Sequence, residues 1–191
     1  MQRLTEKDLW PNPVYERSRD EYRRHIIELK RPRRIALGES VTVLFENRET
    51  VKFQIQEMLR AEGISTPEGV RAEIEVYDGL LPGPDELSAT LTIEVTEEAR
   101  IPETLRRLVG IEEALWLVFA GHEVRASFEA GRSDGARISA VQFVRFRLTP
   151  EERAGLLGAG SARLELRHPG YEASVVLSPA TLASLRGDLA E

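Results

Sequence analysis

The chain has 191 residues, of which 41% are hydrophobic and 30% are charged, and it contains no cysteine. These values are typical of a soluble globular domain with a substantial core. The lack of cysteine excludes disulfides, thiolate catalysis, cysteine zinc sites and any cluster held by the chain's own thiolates. No apolar run reaches the roughly 18 residues that a membrane-spanning helix requires. The first residues also lack the apolar core of a signal peptide, which predicts a cytoplasmic protein.

The net charge of −6 is distributed unevenly. Residues 1–35 hold 10 lysines and arginines against 6 acidic residues, a net charge of +4, and the remainder has a net charge of −10. The basic residues are concentrated in Arg23–Arg34. Such a segment is typical of a solvated helix face, and a surface for an acidic partner is the alternative. We do not expect nucleic-acid binding.

The N-terminal part of the sequence predicts three helices and a strand region. Val14–Leu29 has apolar residues at helical spacing, and Ile35–Phe45 is rich in β-branched residues. A second helix is predicted over Val51–Glu62, with Thr50 as its N-cap. A third begins at Thr66-Pro67 and ends near residue 78. The four-residue link between the last two helices predicts an antiparallel helical hairpin.

The C-terminal part predicts strands separated by short helices that begin at proline. One strand, Ile138–Leu148, has apolar residues on both faces and is predicted to be central in its sheet. The other predicted strands are Ala89–Thr96, Ala114–Ala120, Val124–Glu129, Ala162–Arg167 and Tyr171–Leu177. The predicted helices are Pro102–Val109, Pro150–Leu157 and Pro179–Leu189.

The order of these elements predicts an α+β fold, with an N-terminal helical layer (a helix plus a helical hairpin) packed on a mostly antiparallel β-sheet. We expect one domain over residues 1–191. The alternative is a helical part over residues 1–86 and a sheet part over residues 87–191.

Amides and carboxylates are concentrated around the second helix, near its apolar stripe. A helical wheel places Glu62 within that stripe and at the helix C-terminus, where the macrodipole disfavours an anion. Glu62 is therefore expected to have a partner, either an arginine or a metal ion, and Arg19 is the best candidate. The alternative is that the last turn of the helix frays and Glu62 turns to solvent. Two faces of the helix are expected to be covered. The candidate polar cluster comprises Arg19, Glu46, Asn47, Arg48, Gln54, Gln56, Glu57, Glu62 and Glu73.

This cluster has two interpretations. The first is a buried Arg–Glu network that fixes the helices, with the amides supplying further hydrogen bonds. The second is a metal-binding or catalytic site formed by Glu57, Glu62 and Glu73, because paired carboxylates can share a proton or a metal. The first is favoured, since no Glu-x-x-His motif of carboxylate-bridged iron bundles occurs. No cofactor is predicted, and iron or another metal is the alternative.

His168 and Tyr171 are weaker candidates, in the tetrapeptide HPGY. Proline followed by glycine fits a type II turn. The favoured interpretation is a hairpin with His168 at the entry to its turn, and the alternative is a metal ligand or general base at the rim of a sheet.

Several segments carry a family resemblance, in order along nearly the whole chain: LTEKDL, RRIALGESVTVLFENR, FENRETVKFQIQEMLRAE, YDGLLPGPDELSATLTIE, AVQFVRF and HPGY. They resemble a bacterial family known as domain of unknown function 3501. Members of that family are often encoded beside rubrerythrin-like non-haem iron proteins and iron–sulfur oxidoreductases. The resemblance therefore implies a redox protein as partner and assigns no role to any residue.

No phosphate-binding loop, dinucleotide-binding motif or nucleophile elbow occurs in the sequence. Together with the missing cysteines, this favours a non-catalytic binding or accessory protein that acts with a redox partner. The alternative is a carboxylate-based metal-binding protein or enzyme that uses the helical hairpin.

Overall fold

Strands of this protein form two antiparallel sheets. The computed structural model describes residues 3–95, 97, 99, 101–131 and 138–190. The helices are α1 Asn12–Lys30, α2 Arg48–Ala61, α3 Pro67–Asp78, α4 Ile101–Arg107, α5 Pro150–Gly158 and α6 Pro179–Ala190. The strands are β1 Arg34–Ala36, β2 Val41–Glu46, β3 Glu86–Ile93, β4 Leu115–Phe119, β5 His122–Arg125, β6 Ser127–Phe128, β7 Val141–Arg147, β8 Ala162–His168 and β9 Tyr171–Val176.

The five-stranded sheet has the order β1-β2-β3-β7-β6, and the four-stranded sheet has the order β5-β4-β8-β9. The α+β class is confirmed, although the strands divide between two sheets. The central position predicted for the Ile138–Leu148 strand is also confirmed, because β7 lies between β3 and β6. β2 pairs with β3 along its length. The larger sheet therefore contains strands from both sides of residue 86, the boundary in the alternative division into a helical part and a sheet part.

The two sheets pack face to face around the main core. Phe45, Leu91 and Phe146 of the larger sheet are buried in one cluster with Leu117 and Leu164 of the smaller sheet. Full burial of such side chains contributes about 1.5–3 kcal/mol each. This apolar interior is the largest source of stability in the fold.

The N-terminal helices lie on the opposite face of the larger sheet, as predicted. Val51, Ile55 and Leu59 of α2 form a second apolar cluster, against which Ile74 of α3 and Phe143 of β7 pack. No helix in the described part of the chain is long and apolar enough to cross a membrane.

The start of α2 differs from the prediction. The N-cap is Asn47, whose side chain accepts a hydrogen bond from the Thr50 backbone N–H at 3.0 Å. The Asn47 N–H in turn donates to Thr50 Oγ1 at 2.9 Å. Thr50 is therefore the third helical residue, and the prediction that it is the N-cap was wrong. Asparagine and threonine both favour the N-cap position, so residue type did not distinguish Asn47 from Thr50. The prediction for α3 is confirmed, with Thr66 as cap and Pro67 as first residue.

The predicted strand Val124–Glu129 is interrupted. β5 ends at Arg125 in the smaller sheet, and β6 begins at Ser127 in the larger sheet. Between them, buried Ala126 donates its N–H to Leu115 O at 2.9 Å. The chain thus crosses between sheets at one residue, which strand propensity does not reveal. The predicted strand end at Thr96 lies outside the described residues.

The predicted hairpin at residues 168–171 is present, but the turn is not type II. β8 and β9 pair up to His168↔Tyr171, and Gly170 is not among the glycines with positive φ that a type II turn requires. Glycine is needed for a different reason, since a Cβ at this position would lie 2.8 Å from Arg107 O.

Candidate functional site

Glu57 is the centre of the network between α1 and α2. Its Oε1 accepts hydrogen bonds from the Tyr15 hydroxyl at 2.6 Å and from Arg19 Nε at 2.8 Å. Its Oε2 accepts from Arg19 Nη2 at 2.8 Å. The hydrogen bonds from Arg19 lower the pKa of Glu57, and burial together with the neighbouring carboxylate raises the pKa of Tyr15. The carboxylate is therefore held charged by a bidentate arginine, which leaves it poorly suited to proton transfer.

Gln56 fastens the N-terminal segment to α2. Its fully buried amide accepts a hydrogen bond from the Trp10 N–H and donates to the Trp10 carbonyl, both at 2.9 Å. The Trp10 ring contacts Tyr22 at a centroid distance of 5.1 Å, and Tyr22 contacts Phe53 at 5.7 Å. The second face of α2 is thus covered by α1 and by the segment before it.

Glu46 is a buried carboxylate at the end of β2, and only 3% of it is exposed. Its two oxygens accept hydrogen bonds from the Thr50 hydroxyl at 2.5 Å and the Thr90 hydroxyl at 2.7 Å. Lys30 lies nearby, with its amine 5.4 Å from the Phe53 ring centroid. Burial lowers the pKa of Lys30, and Glu46 opposes that effect. These contacts join the larger sheet to the start of α2.

Arg33 is fully buried, and no pattern in the sequence marked it as a candidate. Its Nε and Nη2 donate to the carbonyls of Phe45 and Glu46 at 2.8 and 3.0 Å. Its Nη2 also donates to Asp188 Oδ2 at 2.6 Å, and its Nη1 donates to Ser184 Oγ at 2.7 Å. Asn47 Nδ2 also donates to Asp188, at 3.5 Å. Because Asp188 is 155 residues from Arg33, no local sequence signal could have indicated the pair.

Arg48 forms an ion pair with Asp8 at 2.6 Å. Hydrogen bonds from Arg48 and from Thr5 hold the pKa of Asp8 down at about 2. Arg48 therefore fastens the chain before α1 to the first turn of α2.

The prediction that Glu62 lies on the apolar face of α2 was wrong. The helix ends at Ala61, and Glu62 is an exposed C-cap residue followed by Gly63 with a φ of +66°. Ile64 continues the apolar stripe in its place, packing against Leu59 and its neighbours. The expected pairing of Arg19 with Glu62 was also wrong, because Glu57 binds Arg19.

The carboxylates of the helical hairpin do not converge. Glu57 binds Arg19, Glu62 is exposed, and Glu73 is half-buried outside the networks described above, as is Gln54. In the described ranges, no group of three or more histidine, aspartate or glutamate side chains is placed to hold a metal ion. The geometry thus gives the carboxylate site no support.

His168 and Tyr171, both in the smaller sheet, bind neighbouring loops. His168 accepts a hydrogen bond at Nδ1 from the Gly170 N–H at 3.0 Å, and its Nε2 lies 2.9 Å from Val109 O. Tyr171 donates to Leu37 O and accepts from the Ser40 N–H, both at 2.9 Å. Both ring nitrogens of His168 and the hydroxyl of Tyr171 are thus occupied by groups of the chain.

The exposed side of α1 carries a different kind of feature. Arg23, Ile27 and the C-cap residue Arg31 follow one another at intervals of four residues, which places them on one side of the helix, beside Arg24. All four are exposed, and Ile27 is 47% accessible. We call Arg23, Arg24, Ile27 and Arg31 the basic patch. It combines cationic groups with an exposed aliphatic side chain.

The surface also contains a cavity of about 490 Å³ near β5, β6 and β7, lined among others by Glu112, Glu113 and Arg125. None of the predicted candidates lines it. Glu112 Oε2 has no hydrogen-bond partner among the described residues, but it is buried from solvent, so a ligand in the cavity could not reach it without side-chain movement.

These features define an α+β protein with two antiparallel sheets and an N-terminal helical layer on the larger one, in which most of the candidate polar residues bind other groups of the chain. The chain belongs to the family described as protein of unknown function DUF3501, whose sequence model matches residues 3–189. The family resemblance of the sequence motifs is thereby confirmed.

One solved structure similar to this chain is that of a novel protein of unknown function from Burkholderia pseudomallei K96243. The two sequences are 33% identical, the comparison covers 98% of this chain and 100% of the other, and the TM-score is 0.92. No functionally curated protein matches the chain.

Replacement of Glu57 by alanine should destabilise the protein by about 2–3 kcal/mol, because it leaves the Tyr15 hydroxyl and the Arg19 guanidinium without their acceptor. Glu62→Ala, the same substitution five residues later, is the control and should change stability by less than about 0.5 kcal/mol. Urea unfolding of both variants measures the difference. Equal effects would contradict the assigned geometry.

Stability should also depend on Asp8 in a pH-dependent way. Its pKa is about 2 in the folded protein against an ordinary value of 3.8, so its charged form stabilises the fold above pH 3.8 and that contribution is lost as the pH falls towards 2. Asp8→Asn should therefore be less stable than the wild type at pH 7, with the gap closing between these two values. Thermal unfolding across this range tests it, and a gap independent of pH would be inconsistent with the ion pair.

Proposed function

We propose that this protein is a non-catalytic accessory protein that binds a redox protein, such as a rubrerythrin-like or iron–sulfur oxidoreductase, in the cytoplasm. The observation that carries the proposal is that the candidate polar groups form hydrogen bonds within the chain. Glu46, Gln56, Glu57 and His168 all have their polar atoms occupied by intramolecular partners. Catalytic groups, in contrast, need a reactive atom free to meet a substrate.

The basic patch is the surface that best suits such a partner. Its arginines have few strong internal partners: Arg24 Nε donates to Asp20 O at 3.2 Å, and Arg31 forms an exposed ion pair with Glu28. Exposed ion pairs contribute about 0–1 kcal/mol, so Arg31 can exchange its partner at little cost. Cations around an exposed aliphatic group favour an acidic protein surface with an apolar contact at its centre.

The family resemblance supports a redox protein as the partner, and the charge and exposure of α1 support the basic patch as the surface that binds it.

The alternative function, a metal-binding protein or enzyme based on Glu57, Glu62 and Glu73, has no specific observation in its favour. Metal analysis of protein purified without chelator tests this alternative. Stoichiometric iron, manganese or zinc would favour it over the accessory function.

The proposal predicts that the protein, tagged and produced at native level in its host, co-purifies with an iron-containing redox protein identified by mass spectrometry. Arg23→Glu/Arg24→Glu should reduce the recovered partner about tenfold, because opposite charges across the interface become like charges. Recovery should also fall as salt concentration rises.

The matched control is Arg106→Glu/Arg107→Glu, which makes the same change in charge at two adjacent exposed arginines of α4. Arg106 resembles Arg24 in donating from Nε to the carbonyl four residues earlier, here Pro102 O at 3.1 Å. The control should recover the partner as the wild type does. No redox protein in any preparation would contradict the function, whereas an equal loss in both variants would contradict only the assignment of the surface.

A further inference from the structure

The outer edge of β9 is an open sheet edge. β9 pairs only with β8 among the strands of the described chain. It has six residues, against three in β1, two in β6 and four in β5, which are the other edge strands. Proteins usually protect exposed edges by keeping them short, charged or interrupted by proline. β9 has no proline and one charged side chain, Glu172, so it is the least protected edge.

The hydrogen-bond pattern shows which backbone groups face outward. Leu177 N donates to Ala162 O at 2.9 Å, so these two residues form a hydrogen-bonded pair. Since such pairs alternate along an antiparallel ladder, Tyr171, Ala173 and Val175 direct their backbone groups towards β8. The N–H and C=O groups of Glu172, Ser174 and Val176 therefore point to the open edge.

We propose that this edge pairs with β9 of a second copy of the chain, antiparallel about a two-fold axis at Ser174. In this register, Ser174 faces its own counterpart, and Glu172 faces Val176 of the second copy. Each of the three outward residues exchanges both its backbone hydrogen bonds with its opposite residue. The smaller sheets of the two copies then form one continuous sheet.

Side chains of the two copies meet on both faces of the paired β9 strands. On the inner face, half-buried Ala173 and Val175, which pack against the main core, lie opposite each other and cover one another's open side. On the outer face, Val176, which is 62% exposed, gains a neighbour. Arg163 of the second copy lies two strands from Glu172, on the far side of the facing Val176, because Arg163 pairs with Val176.

A second copy suits this edge better than a foreign strand because the pattern is self-complementary. No like charges face each other in this register, and the half-buried apolar residues of the inner face, Ala173 and Val175, meet each other. Edge pairing alone buries less than the roughly 1,600 Å² of a standard interface, so the dimer should dissociate on dilution.

Sedimentation velocity over about a hundredfold range of protein concentration tests the proposal. The wild type should show a reversible monomer–dimer equilibrium. Ser174→Lys and Ser174→Glu should each weaken self-association by roughly fivefold or more, because two like charges meet at the axis. An equimolar mixture of the two variants should restore it. Ser174 is exposed and its side chain is on the outer face, so circular dichroism should show both variants folded.

Ser174→Ala is the control and should dimerise as the wild type does, since it keeps the backbone donors. A wild type that is monomeric at all concentrations overturns the proposal, even if the edge captures a foreign extended peptide. Dimers of unchanged strength in both charged variants, or a mixture no stronger than its components, also overturn it.

Discussion

The buried guanidinium of Arg33 is the interaction on which the arrangement of the chain depends. Each of its N–H groups has an acceptor, supplied by the end of β2, by Ser184 and by Asp188. A buried charge without partners costs several kcal/mol, so the link after α1, the link before α2 and the C-terminal helix must meet at this point. Arg33 thereby fixes the position of the N-terminal helical layer at the edge of the larger sheet. The apolar cluster under α2 alone would not specify this position.

The same logic extends along α2. Its N-cap Asn47 also binds Asp188, Thr50 binds Glu46, and Gln56 and Glu57 bind the segments that cover the helix. These polar groups give the helix a unique position, because each leaves an unpaired buried atom if the helix shifts. The polar residues that resemble an active site in the sequence thus hold α2 in position. The proposed functions instead use two surfaces, the basic patch and the edge of β9.

Elements with local signals could be predicted from the sequence, and long-range pairings could not. Thr66-Pro67 marks the start of α3 correctly because the capping interaction is local. The sequence identifies Arg19 as a partner for a carboxylate of the second helix, but the pairing of Arg19 with Glu57 rather than Glu62 depends on the axial offset of two helices and on where α2 ends. The partner of Arg33 and the division into two sheets depend on residues far apart in the chain, about which periodicity carries no information.

The most direct test of this account is the free energy of unfolding of Arg33→Lys, measured by urea denaturation beside the wild type. Lysine keeps the positive charge but cannot reproduce the planar set of donors that serves Asp188 and two carbonyls. The account predicts a loss of about 3 kcal/mol or more. A change within about 0.5 kcal/mol, the range of an ordinary surface substitution, would contradict it.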